Sequence, residues 1–299
     1  MPTKASHRSA NVLVGEQLKK YADDLEHEMH SHVLTWSGPI QQPVDKLIRR
    51  AIEHRVKQGP KRNRLTVVLQ TGGGYIETAE RIANTFRHHY TWVSFMIPNY
   101  AMSAGTVLAM SGDEIWMNYF SMLGPIDPQL ERRDGREGFI PALGYLEKYN
   151  QMVEKSRQGT LTSAEAAYFI QNFDAGDLYS YEQAKKLSID LLKKWLTRYK
   201  FKNWKKTETH RRKVTPKMRK DRAEKIAETL CDTEKWYSHG RGIPMAVLKR
   251  DLKLKIEDIE KSKPVSDALD NYYELLENYL GTIGAKGALH TADLLIPFG

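Results

Sequence analysis

Two apolar, β-branched runs, Arg64–Leu69 (RLTVVL) and Trp92–Ile97 (WVSFMI), each lead into a turn that tolerates unusual backbone geometry. The first turn is Thr71-Gly-Gly-Gly74 and the second is Asn99-Tyr-Ala-Met-Ser103-Ala-Gly105. Continuous apolar runs of this length suit strands buried on both faces, the situation inside a parallel sheet. The segment between them has helical spacing from Ile76 to about His89, and Met102–Ser111 has the small and apolar residues of a buried helix ended by Gly112. Upstream, Ser31–Trp36 reads as a strand stopped by Gly38-Pro39, and Pro43–Lys57 as an amphipathic helix. Downstream, Glu114–Met117 reads as a further short strand. Alternating strand and helix in this order implies right-handed crossovers and an α/β layer.

Beyond Phe139 the pattern turns helical, over Leu143–Lys155, Ser163–Phe173 and Tyr181–Tyr199. The second of these is opened by a capping box of Thr162 and Glu165. Thr207–Pro216 reads as a linker, followed by helices over Arg219–Leu230, Met245–Leu252 and Ser266–Leu280. The first ten residues read as a loose tail, and Gly281–Gly299 as an irregular one. The expected organisation is an N-terminal tail and helix over 1–30, an α/β catalytic domain over 31–177, and a helical, basic extension over 178–299.

Composition narrows the class. At 40% hydrophobic and 28% charged residues the chain is built like a globular protein and unlike a disordered one. It has no run of about 18 apolar residues long enough for a membrane helix and no apolar leader, so the expectation is a cytoplasmic protein without a transmembrane segment. A single cysteine, Cys231, excludes an intrachain disulfide and a multi-cysteine zinc site. His88 and His89 are adjacent and point different ways, so no metal site is expected there. The net charge of +9 is uneven: between Lys185 and Lys225 only Asp190, Glu208, Asp221 and Glu224 offset a long basic run. Trp195, Tyr199, Phe201 and Trp204 are interleaved with it, a composition that fits either a polyanion-binding surface or a solvated helical face over an aromatic core.

The two turns carry the chemistry. Glycines at 72–74 let main-chain N–H groups converge on a small anionic oxygen without Cβ obstruction, as an oxyanion hole demands. A serine at a strand-to-helix junction, flanked by Ala104 and Gly105, can hold its Oγ clear of the fold. Taken singly, the glycines are a turn and the serine a helix cap. About thirty residues apart, each on its own strand exit, they point together to a nucleophile and its anion pocket.

The segment from Val67 to Gln129 contains Leu-Gln-Thr-Gly-Gly-Gly-Tyr-Ile-Glu-Thr-Ala, Ala-Met-Ser-Ala-Gly-Thr and Ser-Met-Leu-Gly-Pro-Ile-Asp-Pro-Gln. In these motifs it resembles the Clp protease and signal peptide peptidase A superfamily, and more closely the serine dehydrogenase proteinases of Clp fold. That similarity continues through Leu161-Thr-x-Ala-Glu165, Trp195-Leu-x-x-Tyr-Lys-Phe201 and His239-Gly-Arg241. The resemblance implies an α/β, Clp/crotonase-like core of ββα units in a superhelix with a helical C-terminal extension, and a serine peptidase that commonly self-associates. It makes Ser103 the nucleophile, Gly73 and Ala104 the oxyanion-hole donors, and Gly74 and Tyr75 the lining of a groove for an extended peptide. The stretch Leu123-Gly124-Pro125 has no histidine where the Clp proteases carry their base. Signal peptide peptidases use a lysine on a later helix instead, and Lys155 has that spacing. Lys148 and His239 are the other candidate bases, while Asp127 is expected to brace a turn, or else to orient Lys155 or select substrate. No metal or organic cofactor is required. A crotonase-like acyl-coenzyme A enzyme and a catalytically silent scaffold or polyanion- or nucleic-acid-binding protein are the rival readings.

Overall fold

In the computed structural model, residues 9–127, 129–131 and 139–299 are described. The chain forms two compact units, residues 1–123 with 244–299, and residues 124–243.

The first unit contains α1 (Ala10–Met29), β1 (His32–Ser37), α2 (Val44–Gln58), β2 (Arg64–Gln70), α3 (Ile76–His89) and β3 (Trp92–Ile97). It continues through β4 (Tyr100–Ala101), α4 (Ala104–Ala109), β5 (Glu114–Met117) and β6 (Met122–Leu123). The second holds β7 (Gln129–Glu131), β8 (Phe139–Pro141), α5 (Ala142–Arg157), α6 (Ser163–Asn172), α7 (Ala175–Trp195), α8 (Pro216–Leu230) and α9 (Thr233–Trp236). After β9 (Ile243–Pro244), the chain adds α10 (Met245–Arg250), β10 (Glu257–Asp258), α11 (Lys263–Thr282), β11 (Gly287–Thr291) and β12 (Leu294–Phe298).

The main sheet runs β10-β5-β3-β2-β1-β11-β12. Its centre is parallel, with Trp36 opposite Leu69, Val67 opposite Phe95 and Met96 opposite Trp116. β2 and β3 are the runs that read as buried strands, and nearly every residue of both is buried. Strand order follows chain order from β1 through β2 and β3 to β5, so right-handed crossovers set α2, α3 and α4 on one face. Phe86 of α3 meets Phe95 there, with ring centroids 6.3 Å apart. On the other face, Leu18, Ala22 and Leu25 of α1 form a continuous core with Leu269, Tyr272 and Leu276 of α11, over Val33, Val68 and Met96.

The C-terminal tail departs from expectation. Residues 287–298 are no irregular tail: β11 pairs antiparallel with β1, with Trp36 opposite Leu289, and β12 closes the hairpin. Phe298 stacks on Trp36 at 5.1 Å, which anchors the strand whose hydropathy alone was too short and too glycine-flanked to stand out. A buried ion network ties this hairpin to the helices, because Arg55 bonds both Glu26 and Asp293 at 2.5 Å while Glu26 also accepts from the Val33 N–H at 2.9 Å. The proposed linker is also ordered. Val214 N donates to Lys205 O at 2.9 Å, Thr207 N to Arg212 O at 2.9 Å, and Lys206 lies opposite Lys213 in an antiparallel bridge. The capping box of Thr162 and Glu165 forms as its spacing predicts. The first eight residues, expected as a loose tail, lie outside the described residues.

Candidate active site

Ser103 immediately precedes α4, two residues after the end of β4, and it has φ 52° and ψ −120°. A non-glycine side chain held at positive φ costs of order 1–3 kcal/mol and persists only where the surroundings impose it. Those surroundings are visible. Thr71 N donates to Tyr100 O at 3.1 Å and Met102 N to Thr71 O at 2.9 Å, so the exit of β2 is laced to the chain just before the serine. Gly105 N bonds Met102 O at 2.8 Å and Val107 N bonds Ser103 O at 3.2 Å, which starts α4 immediately after the bend. The Ser103 hydroxyl makes no capping bond to that helix. The cap that a lone Ser-Ala-Gly suggests is therefore not what this serine does, and its Oγ stands half-buried at a sharp chain reversal.

Three glycines allow the approach. A Cβ on Gly73, at φ 109°, would lie 2.8 Å from Ser103 Cβ and 3.0 Å from Met102 O. One on Gly105 would lie 2.3 Å from Thr71 Cγ2, so the glycine after the serine is what lets α4 close onto the β2 exit. Gly74, at φ 145°, would strike Ile40 O at 2.2 Å. Ile40 N donates to Gly73 O and Tyr75 N to Ile40 O, both at 2.8 Å. Gly72 meets nothing within 4 Å and is dispensable for packing.

The amides differ in availability. The Gly73 N–H donates to Thr71 Oγ1 at 3.0 Å, a bond that sequence reasoning missed, although a β-branched hydroxyl residue just before the glycines is the signal that could have found it. Ala104 is the first residue of α4, so its N–H has no intrahelical acceptor. Tyr75, at the N-cap of α3, is 54% exposed beside the turn. Ser103, Gly73, Gly74, Tyr75 and Ala104 thus lie together in the first unit.

The candidate bases lie in the second unit. Lys155 is paired with Glu165 at 2.5 Å, its side chain 48% exposed. The bond from Lys155, with those from Thr162, holds the Glu165 carboxyl down at about 2. Lys148 bonds Gln151 at 2.9 Å on the same exposed helix. His239 is different: its Nδ1 lies 2.9 Å from Asp127 Oδ1, with the Asp127 side chain 2% exposed. Among the described residues, the second carboxylate oxygen of Asp127 has no hydrogen-bond partner. Two bonds fix this segment, from Ile126 N to Leu230 O at 3.0 Å and from Cys231 Sγ to Ile126 O at 3.9 Å. Cys231 is a buried structural thiol whose pKa burial pushes up to about 12. Asp127 and His239 were each noted in the sequence, but 112 positions separate them and no local pattern links them. The same unit contains a cavity of about 570 Å³ that none of the expected site residues lines.

Residues 42–212 match the model of the ClpP-like SDH-type serine proteinases, which is more than half of the chain. The chain belongs to this family. Its central sheet flanked by helices is the mixed α/β architecture of a ClpP-like fold. Two uncharacterized proteins of Methanocaldococcus jannaschii are similar. One is 32% identical over 56% of this chain and 63% of its own length. The other is 31% identical over 53% of this chain and 54% of its own length. The chain therefore spans a little over half the length of these curated relatives. A solved structure of a membrane-bound stomatin-specific protease mutant aligns with a TM-score of 0.46 at 12% identity, over 80% of this chain and 82% of that one. Among the described residues, no helix of this family member is long and apolar enough to cross a membrane.

Proposed function

We propose that this ClpP-like proteinase hydrolyses peptide bonds with Ser103 as its nucleophile. The observation that carries the reading is the strained backbone at Ser103, φ 52° and ψ −120°, with a hydroxyl uncommitted to its helix and a glycine at van der Waals distance. Ser103 Oγ attacks the scissile carbonyl, its proton passes to a base, the amine leaves, and water resolves the acyl-enzyme. Main-chain amides of the glycine turn and of Ala104 hold the oxyanion. Gly73 shares its N–H with Thr71 Oγ1. Gly74 and Tyr75 line the groove in which an extended peptide lies.

Lys155 is the base that the spacing suggests. A lysine base needs a dry, unpaired amine, whereas Lys155 is half-exposed and bound to Glu165. The bond between His239 and the buried Asp127 favours a second reading, in which His239 accepts the proton and Asp127 orients it. Hydrolysis of a fluorogenic peptide library decides between them. Ser103→Ala abolishes turnover, and loss of the true base costs roughly 10²–10⁴-fold in kcat. If Lys155→Ala is the silent variant and His239→Asn the damaged one, the base is His239; the reverse result assigns Lys155. Turnover of acyl-coenzyme A thioesters that survives Ser103→Ala would support the crotonase reading instead. Self-association and a cytoplasmic location are part of the proposal, and sedimentation and cell fractionation test them.

A further inference from the structure

We propose that the hairpin over residues 204–214, with the start of α8, is a binding surface for the sugar–phosphate backbone of nucleic acid. Seventeen basic residues stand against four acidic ones between Lys185 and Lys225, an excess larger than the net charge of +9 for the whole chain. Part of that run is engaged, as Lys193 is to Glu224 at 2.5 Å. The hairpin is different. Lys205, Lys206, Arg211, Arg212, Lys213 and Lys217 are all exposed, and among the described residues none of them is in an ion pair.

A second observation is energetic. Lys206 and Lys213 face each other across an antiparallel bridge, and like charges placed directly opposite destabilise a ladder. Arg211, at the turn, is held at φ 51°. Backbone bonds keep the strands paired in spite of this, from Val214 to Lys205 and from Thr207 to Arg212, each at 2.9 Å. A hairpin that concentrates cations against its own stability is the local conflict expected where a polyanion supplies the missing charge.

The partner's chemistry follows from what the surface lacks and holds. Among the described residues, no large apolar side chain is exposed between Lys185 and Lys225, so a bilayer finds no anchor to bury there. Trp195 and Phe201 are buried, at 2% and 8% exposure, and the partly exposed rings of Trp204 and Tyr199 are engaged with Phe201, at 5.7 Å, and with the Arg198 guanidinium, at 5.4 Å, so none of the four is a free platform for base stacking. That leaves charge to phosphate as the interaction, independent of sequence and steeply dependent on salt.

Fluorescence anisotropy of the full chain with a labelled duplex of about thirty base pairs, between about 50 and 200 mM salt, tests this. Neutralising Lys206, Arg211, Arg212 and Lys213 to Gln weakens binding at least about tenfold and lowers the slope of log K against log salt by about 3 to 4, since each phosphate contact contributes about 0.9. Lys213→Glu separates function from folding: it pairs with Lys206 and raises Tm, yet weakens duplex binding. Equal binding by Lys213→Glu and the native chain overturns the proposal. So does binding to phosphatidylserine vesicles or polyglutamate as tight as to the duplex at the same salt. Labelling of Ser103 is unaffected in each variant, so this test and that of the peptidase reading fail independently.

Discussion

Gly73 and Ser103 touch so closely that a side chain on the glycine would place its Cβ 2.8 Å from that of the serine. Each turn therefore fixes the other: the glycine is free to sit there, and the serine is held at positive φ by the chain that the glycine admits.

Gly73→Ala is expected to lower reaction of Ser103 with a fluorophosphonate by roughly 10²-fold, the scale of losing an aligned oxyanion donor. Gly72→Ala is the control, because nothing lies within 4 Å of the Cβ it adds. Second-order labelling rates of the two variants check this, and equal rates would show that the glycine turn is not part of the anion pocket.

Ser103→Gly removes the hydroxyl and also the penalty for positive φ. Relief of strain at such positions is of order 1–3 kcal/mol, set against the greater unfolded-state freedom of glycine, so a net gain of about 1 kcal/mol is expected. Ser103→Ala loses activity equally but gains no such stability. Urea unfolding of the two variants distinguishes them.

His290 makes stability depend on pH. It is buried beside Tyr272, whose hydroxyl lies 2.6 Å from His290 Nδ1 and 2.6 Å from Thr35 Oγ1. Burial pulls its pKa from 6.5 to about 4. The unfolded chain takes up the proton first as pH falls, so the contribution is complete above about 6.5 and is lost progressively between about 6.5 and about 4. The loss amounts to about 3 kcal/mol. His290→Gln is expected to flatten that slope in unfolding free energy measured from pH 7 to pH 4.

Arg55→Met strands Glu26, which is 3% exposed and receives two bonds from the guanidinium. Breaking one side of such a pair costs about 3–5 kcal/mol, and replacing both partners with apolar residues recovers much of it. Denaturant midpoints of Arg55→Met and of Glu26→Leu with Arg55→Met check the difference.

The parallel core was legible because β-branched runs such as Arg64–Leu69 and helical spacing such as Ile76–His89 are local signals that tertiary packing here reinforces. The serine elbow was legible for the same reason, since the permissive turns directly follow their strands. What escaped was non-local. β11 gains its identity from pairing with β1 across some 250 residues and β12 from pairing with β11, and a glycine-flanked run of five residues has too little periodicity to announce that. The bond between Asp127 and His239 and the opposition of Lys206 and Lys213 likewise exist only once the chain has folded. Spacing points to Lys155 but carries no information about the Glu165 carboxylate that binds it.

The most direct measurement is peptide mapping by mass spectrometry after treatment with a fluorophosphonate. A single phosphonylated site at Ser103, absent in Ser103→Ala while the fold by circular dichroism is unchanged, is the expected result. An unlabelled Ser103 in the folded protein, or labelling that persists in Ser103→Ala, would contradict the assignment of this serine as the nucleophile.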